Sequence, residues 1–253
     1  MTITFLGTGT SQGVPVIACD CEVCTSADPK DKRLRSSVMV EVGDKLIVID
    51  SGPDFRYQML RAHVKHLTAL LFTHEHKDHV AGMDDIRAFN YRQKAAIDVY
   101  GTERVQAALK REFAYIFHEF KYPGIPDIRP QVITNEPFDI DGVEIIPIEV
   151  MHYKLPIMGY RIGDFTYITD AKTISDNEKE KIKGSKILVV NALQRETHIS
   201  HFTLDEAVAF AKEMGAETTY FTHISHRLGK HADVSAELPS GIHLAYDGLQ
   251  LDI

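Results

Sequence analysis

Short runs of apolar and β-branched residues recur along the chain, at residues 3–6, 38–42, 46–49, 69–72, 143–150, 165–168, 187–190 and 218–221. Each suits a buried strand and is too short for a stable helix. Three other segments, residues 55–64, 102–117 and 204–214, space their apolar residues at helical intervals instead. In the second, Val105, Leu109, Ile116 and Phe117 share a face, with Ala108 and Phe113 beside them. In the third the stripe is Leu204, Ala207, Val208 and Ala211. Thr203 is its expected N-cap, Glu206 the capping-box partner and Gly215 the stop. Strands alternating with helices predict sheets covered by helices. Residues 122–126, Tyr-Pro-Gly-Ile-Pro, read as a local loop rather than a linker, so residues 1–253 are expected to form a single domain.

The polar residues that close these apolar runs carry more information. Asp50, His74, His152, Asp170 and His223 each stand just past a predicted strand. Strand ends are where α/β folds collect functional groups. One such residue would be an ordinary cap or turn residue; five together point to a site.

The segment His74-Glu75-His76-Lys77-Asp78-His79 concentrates metal-binding side chains. In an extended stretch His74 and His76 project to one side, and Asp78 and His79 follow across a turn. Imidazole and carboxylate donors suit zinc, manganese and iron. The helical H-E-x-x-H zinc pattern does not fit, because His74 and His79 are five apart. A solvated turn has no use for three histidines in six positions.

The run His74-x-His76-x-Asp78-His79 resembles the HxHxDH signature of the metallo-β-lactamase superfamily. The resemblance implies an α/β (α+β) four-layer αβ/βα sandwich of two mixed sheets with helices outside. It implies two divalent ions, zinc or manganese. His74, His76 and His152 would hold one, Asp78, His79 and His223 the other, and Asp170 would bridge them. Asp50 would stand behind the ligands and orient them. Paired cations acidify a shared water and stabilise attacking and leaving oxygens, so hydrolysis of a polar ester is expected, with Asp78 and Asp170 catalytic through the metals. His76 stands where the superfamily's di-iron oxidases carry Glu.

Cys19, Cys21 and Cys24 fall within six residues. Three thiolates and one distant ligand make a closed tetrahedral zinc site, and His226, three residues beyond His223, is the candidate fourth ligand. A Cys21–Cys24 redox pair and plain buried thiols are the alternatives. The opening Gly7-x-Gly9-x-x-x-Gly13 has one residue too many for a dinucleotide fingerprint. Together with the Cys trio, His223-x-x-His226 and Ala245-Tyr246-Asp247-Gly248-Leu249, it resembles the phosphoribosyl 1,2-cyclic phosphate phosphodiesterases of the carbon–phosphorus lyase pathway. That resemblance implies a small cyclic phosphodiester substrate, a metal-activated hydroxide as nucleophile, and a structural zinc on Cys19, Cys21, Cys24 and His226.

A departing sugar oxygen needs a proton. His201, just before the helix at 204–214, resembles the proton donor of tRNA 3′-processing relatives, and His198 is the fallback. Arg35 is a candidate for phosphate contact or a solvated loop residue. His63, His66, His118, His231 and His243 read as ordinary surface or core residues. The net charge of −8 disfavours a stable nucleic-acid complex. The start of the chain lacks an export signal and no run approaches a membrane span, so a cytoplasmic protein is expected, with homodimerisation left open. The competing functions are a tRNA 3′-processing nuclease, a thioester or lactone hydrolase, and a non-catalytic metal-dependent binding protein.

Overall fold

The computed structural model describes residues 1–118 and 123–253, so Tyr122 of the expected loop lies outside the described residues. The contacts divide the chain into two compact units. The first comprises Met1–Leu6, Ser37–Thr134 and Gln250–Ile253; the second comprises Gly7–Ser36 and Asn135–Leu249.

The first unit is built on β1 (Thr2–Gly7), β2 (Ser37–Val42), β3 (Lys45–Ile49), β4 (Ala69–Leu71), β5 (Ile97–Thr102) and β6 (Ile128–Ile133). The β2–β3 pair is an antiparallel hairpin, whereas β3, β4, β5 and β6 run parallel. Parallel strands need crossovers, supplied here by α1 (Phe55–Arg61), α2 (Lys77–Val80), α3 (Arg87–Gln93) and α4 (Glu103–Glu112). The helices bury Phe55, Met59, Val80, Phe89, Val105 and Leu109 against Leu46, Val48, Leu70, Phe72 and Val99. Alternate strand residues such as Ile47, Ile49 and Leu71 are also fully buried, which explains why these strands read as continuous apolar runs.

The second unit contains β7 (Phe138–Ile140), β8 (Val143–His152), β9 (Leu155–Ile162), β10 (Phe165–Tyr167), β11 (Ile187–Asn191), β12 (Thr218–Thr222) and β13 (Ile242–Leu244). These form one sheet in the order β13-β12-β11-β10-β9-β8-β7. Strands β7 to β10 meander antiparallel and β10 to β13 run parallel. Helices α5 (Asp176–Ile182), α6 (Leu204–Met214) and α7 (His231–Glu237) cover it. The expected capping box at α6 is present: Thr203 and Glu206 satisfy each other's backbone N–H, and Gly215 closes the helix in the left-handed conformation. Leu204, Ala207, Phe210, Ala211 and Met214 are buried in the core of this unit. The large ones contribute about 1.5–3 kcal/mol each, more than the roughly 1 kcal/mol of the cap. The chain then returns through β14 (Gln250–Asp252), antiparallel to β1, to complete the order β14-β1-β2-β3-β4-β5-β6 in the first sheet.

Three expectations about element ends change. The helix expected over 102–117 stops at Glu112, where Phe113 turns to φ −118°, ψ 43° and a 3-10 turn takes over at Ala114–Ile116. The helix expected over 55–64 stops at Arg61. His152 does not lie beyond its strand but is the last residue of β8, paired with Leu155. Among the described residues no helix is long and apolar enough to cross a membrane.

Candidate metal centre

The sheet topology gathers the chemistry within each unit. In the first, Asp50 follows β3 and His74 follows β4, two parallel neighbours, so both sit at the same sheet edge. In the second, Asp170 follows β10 and His223 follows β12, with β11 parallel between them. β8 is two antiparallel steps from β10 and therefore shares its direction, which brings His152 to that edge too.

In the first unit Asp50 is the hub. It is fully buried with φ +66°. Its Oδ1 accepts the Thr73 backbone N–H at 2.8 Å. Its Oδ2 accepts the Thr73 hydroxyl at 2.8 Å and His79 Nδ1–H at 2.7 Å. Burial raises the Asp50 pKa from its ordinary value, and the bonds from His79 and Thr73 oppose the rise. A His79 ring donating from Nδ1 presents its lone pair at Nε2, 3.1 Å from Asp78 Oδ2. A lone pair and a carboxylate oxygen at that distance repel unless positive charge lies between them, so this donor set fits a cation. His74 Nε2 lies 3.0 Å from His76 Nδ1. The residues between the ligands anchor the segment to α4: Glu75 pairs with Arg104 at 2.5 Å, and Lys77 pairs with Glu112. The turn carrying Asp78 and His79 is α2 itself. It can close only because residue 82 is glycine, where an added Cβ would lie 2.1 Å from the Gly52 carbonyl oxygen.

In the second unit His152 Nδ1–H donates to two backbone carbonyls, Asp170 O at 2.9 Å and Ser200 O at 3.1 Å. Its Nε2 lone pair is thereby directed away, and burial lowers its pKa, favouring the neutral ring that a metal needs. Asp170 is nearly fully buried with φ +58°. Thr169 Oγ1 donates to its Oδ2 at 2.5 Å, and its Oδ1 lies 3.0 Å from His201 Nε2. His223, at φ +55°, has Nδ1 3.2 Å from Asp170 Oδ2 and 3.2 Å from Ser36 Oγ. His201 stacks on His223 with centroids 5.0 Å apart and meets the edge of His152 at 4.6 Å. His152, Asp170 and His201 offer donor atoms close enough for one ion. His201 Nδ1 lies 3.1 Å from His198 Nδ1, which itself accepts the Ser200 N–H at 3.3 Å. Burial, followed by the charge of His201, lowers the His198 pKa and keeps that ring an acceptor.

The knuckle also closes within the second unit. His226 Nδ1 lies 3.2, 3.4 and 3.5 Å from the sulfurs of Cys19, Cys21 and Cys24. A tetrahedral ZnS₃N site with ordinary bond lengths has S···N edges of roughly 3.6 Å, so the four side chains fit zinc. Cys24 N–H donates to the Cys21 sulfur and holds that thiol down at about 6, while burial pushes Cys24 up to about 11. Val14 and Val23 pack beside Cys24 as a small apolar cluster.

The opening glycine loop packs closely on the segment that carries Arg33. A Cβ at Gly9 would meet Arg33 Cβ and O at 2.9 Å. Arg33, buried and lowered to about 10, donates to Thr8 Oγ1, Ala245 O and His231 Nδ1 at 2.8, 2.7 and 3.1 Å. Asp247 accepts the Thr8 and Leu34 N–H groups at 3.0 and 2.9 Å. His231, expected as an ordinary surface or core residue, is a buried member of this network. Arg35 is held by Nε on Ser11 O at 3.2 Å.

Several partners escaped sequence reasoning: Thr73, Thr169 and Ser36, and also Asn191, whose amide grips both backbone groups of Ala171 at 2.7 and 3.0 Å. A signal was available for two of them. A threonine immediately precedes His74, Asp170 and His223 alike.

Residues 45–224 match the family described as Beta-lactamase superfamily domain. A solved structure described as a new diphosphatase from the PhnP family is 42% identical and superposes with a TM-score of 0.94, covering 100% of this chain and 97% of that one. An octanoyltransferase of Porphyromonas gingivalis is 38% identical over 99% of this chain and 51% of its own length. A ribonuclease Z of a Nostoc species is 28% identical over 65% of this chain and 47% of its own. The chain thus spans about half the length of these two curated relatives.

Proposed function

Since the chain belongs to the β-lactamase superfamily and carries its metal-dependent hydrolase fold, we propose that it hydrolyses a small cyclic phosphodiester of the phosphoribosyl cyclic phosphate type. The observation that supports this reading most is the fixed orientation of the donors: His79 is held by Asp50, His152 by two carbonyls and Asp170 by Thr169. We take both units as one catalytic domain in which His74, His76 and His152 hold one divalent ion, Asp78, His79 and His223 hold a second, and Asp170 joins them. When bound, such a pair supplies an acidified water and charge neutralisation at phosphorus. Cys19, Cys21, Cys24 and His226 hold a separate structural zinc.

The protein's own part in the chemistry centres on His201. One of its ring nitrogens faces the acceptor nitrogen of His198 and the other faces the Asp170 carboxylate. That setting fits a ring carrying two N–H groups, with Nε2–H as the proton for the departing sugar oxygen. Ser200 Oγ, 3.0 Å from His201 Nδ1, steadies the ring. His198, kept neutral, serves as the acceptor behind it.

The 42% identical diphosphatase favours a second reading, hydrolysis of a small diphosphate. The leaving groups separate the two. A sugar oxygen needs protonation, worth about 10²–10⁴-fold, whereas a phosphate leaves as an anion. The test is His201→Ala assayed with a ribose 1,2-cyclic phosphate, a diphosphate, precursor tRNA and an octanoyl thioester in the presence of Mn²⁺ or Zn²⁺. The cyclic phosphate should be turned over by the parent, and the variant should lose about 10²–10⁴-fold on it. Turnover of the diphosphate alone, insensitive to His201, supports the second reading. Preferred cleavage of the tRNA or the thioester overturns both.

A further inference from the structure

Thr73 lies between the Asp50 carboxylate and the first predicted metal ligand. Its backbone N–H and hydroxyl donate to separate oxygens of Asp50, each at 2.8 Å. A hydroxyl has one proton. With that proton given to Asp50, Thr73 Oγ1 can only accept from His74 Nδ1, 3.0 Å away. If the His74 nitrogen were instead the acceptor, the Thr73 proton would have to turn from Asp50, leaving two oxygen acceptors 2.8 Å apart inside a fully buried cluster. The chain therefore runs His74 Nδ1–H to Thr73 to Asp50, and the His74 lone pair is fixed at Nε2. The same Asp50 Oδ2 takes the His79 Nδ1–H at 2.7 Å, fixing the His79 lone pair at Nε2 as well. Asp50 is itself immobilised: Ser37 Oγ donates to its carbonyl and its N–H donates to Leu71 O, both at 2.8 Å.

We infer that Thr73 is a positioning residue that puts His74 under the control of the carboxylate that orients His79, so one buried acid sets the tautomer of a ligand for each of the two ions. The inference rests on the metal assignment proposed above and not on the identity of the substrate. It makes the two links unequal. His79 bonds Asp50 directly, whereas His74 Nδ1 is linked to it through the Thr73 hydroxyl. Losing that hydroxyl removes the Nδ1 link of one ligand to Asp50 and leaves that of the other in place.

The test is Thr73→Val, which keeps the β-branched shape, beside Thr73→Ser, which keeps the hydroxyl. Zn²⁺ and Mn²⁺ titrations of the purified protein give two active-site affinities, and ¹⁵N spectra of the metal-free protein report the imidazole tautomers. Thr73→Val should weaken one of the two sites by about 10–100-fold, the range found when partners behind a ligand are lost. It should spare the other site and mix the tautomers of His74 but not His79, and Thr73→Ser should restore the parent pattern. Unchanged affinities with an unchanged His74 tautomer overturn the inference, as does equal weakening of both sites in Thr73→Val. If Thr73→Val does not fold, Thr73→Ser decides alone, because loss of the parent pattern with the hydroxyl present is incompatible with the role assigned to it. None of these readouts uses a substrate, so a wrong substrate class leaves the result intact.

Discussion

His152 in the second unit, a candidate ligand, is held by different means from the candidate ligands His74 and His79 in the first. In the first, the orienting groups are side chains: Asp50 for His79, and Thr73 backed by Asp50 for His74. In the second, His152 is held by the main-chain carbonyls of Asp170 and Ser200. A side-chain restraint can be deleted by one substitution; a main-chain restraint persists whatever residue occupies the position. His74 and His79 are therefore exposed to mutation in a way His152 is not.

The largest expected effect breaks that contrast open. Asp50→Asn removes the charge, so it should lower active-site metal affinity by about 10–100-fold or more, because two ligands lose their partner at once. Ser200→Ala should leave metal content at the parent value, since the Ser200 carbonyl remains. Metal analysis after dialysis of both variants checks this, and parallel losses would erase the distinction. An intermediate effect belongs to the knuckle, which lies wholly in the second unit. Cys21→Ser should cost about one zinc per chain and lower Tm, because a structural zinc contributes directly to folding. A fall in turnover at unchanged Tm and zinc content would mean that the knuckle does more than hold the fold. The smallest effect is acid sensitivity at His231. Burial, with Arg33 beside it, pushes this ring down to about 4 from its ordinary 6.5. The folded chain binds fewer protons than the unfolded one between those values. The contribution of His231 is thus complete above about pH 6.5 and is lost as pH falls toward 4. His231→Gln, which keeps an acceptor for Arg33, should flatten the decline in Tm between pH 6.5 and 5. An identical decline in both proteins would assign it to other groups.

The strands β3 and β4, which carry Asp50 and His74, were legible because both faces of each are buried. Residues 46–49 and 69–72 read as unbroken apolar runs, and the donor follows the first directly and the second after a threonine. The strands that went unread lack that signature. β6 exposes Arg129 and Pro130, β9 is interrupted by Pro156 and Gly159, and β13 and β14 are three residues long. Helix α5, Asp-Asn-Glu-Lys-Glu-Lys-Ile, buries only Ile182 and has no apolar stripe to detect. At the site, the ligand types and their spacing are local properties and could be read directly. What orients them could not. Thr73 acts on Asp50 across 23 residues and Asn191 on Ala171 across 20, and single residues at such separations carry no periodicity.

Asp50, Asp170 and His223 all occupy left-handed backbone, at φ +66°, +58° and +55°. Such conformations cost other residues of order 1–3 kcal/mol and cost glycine almost nothing. Glycine is thus the residue these three backbones accept most readily, and the one that supplies no donor atom. A selection that reads only whether the chain stays soluble and intact will admit glycine there, while a selection that reads bound metal will reject it. The divergence between two such libraries, position by position, would chart where this molecule has kept chemistry against the preference of its own main chain.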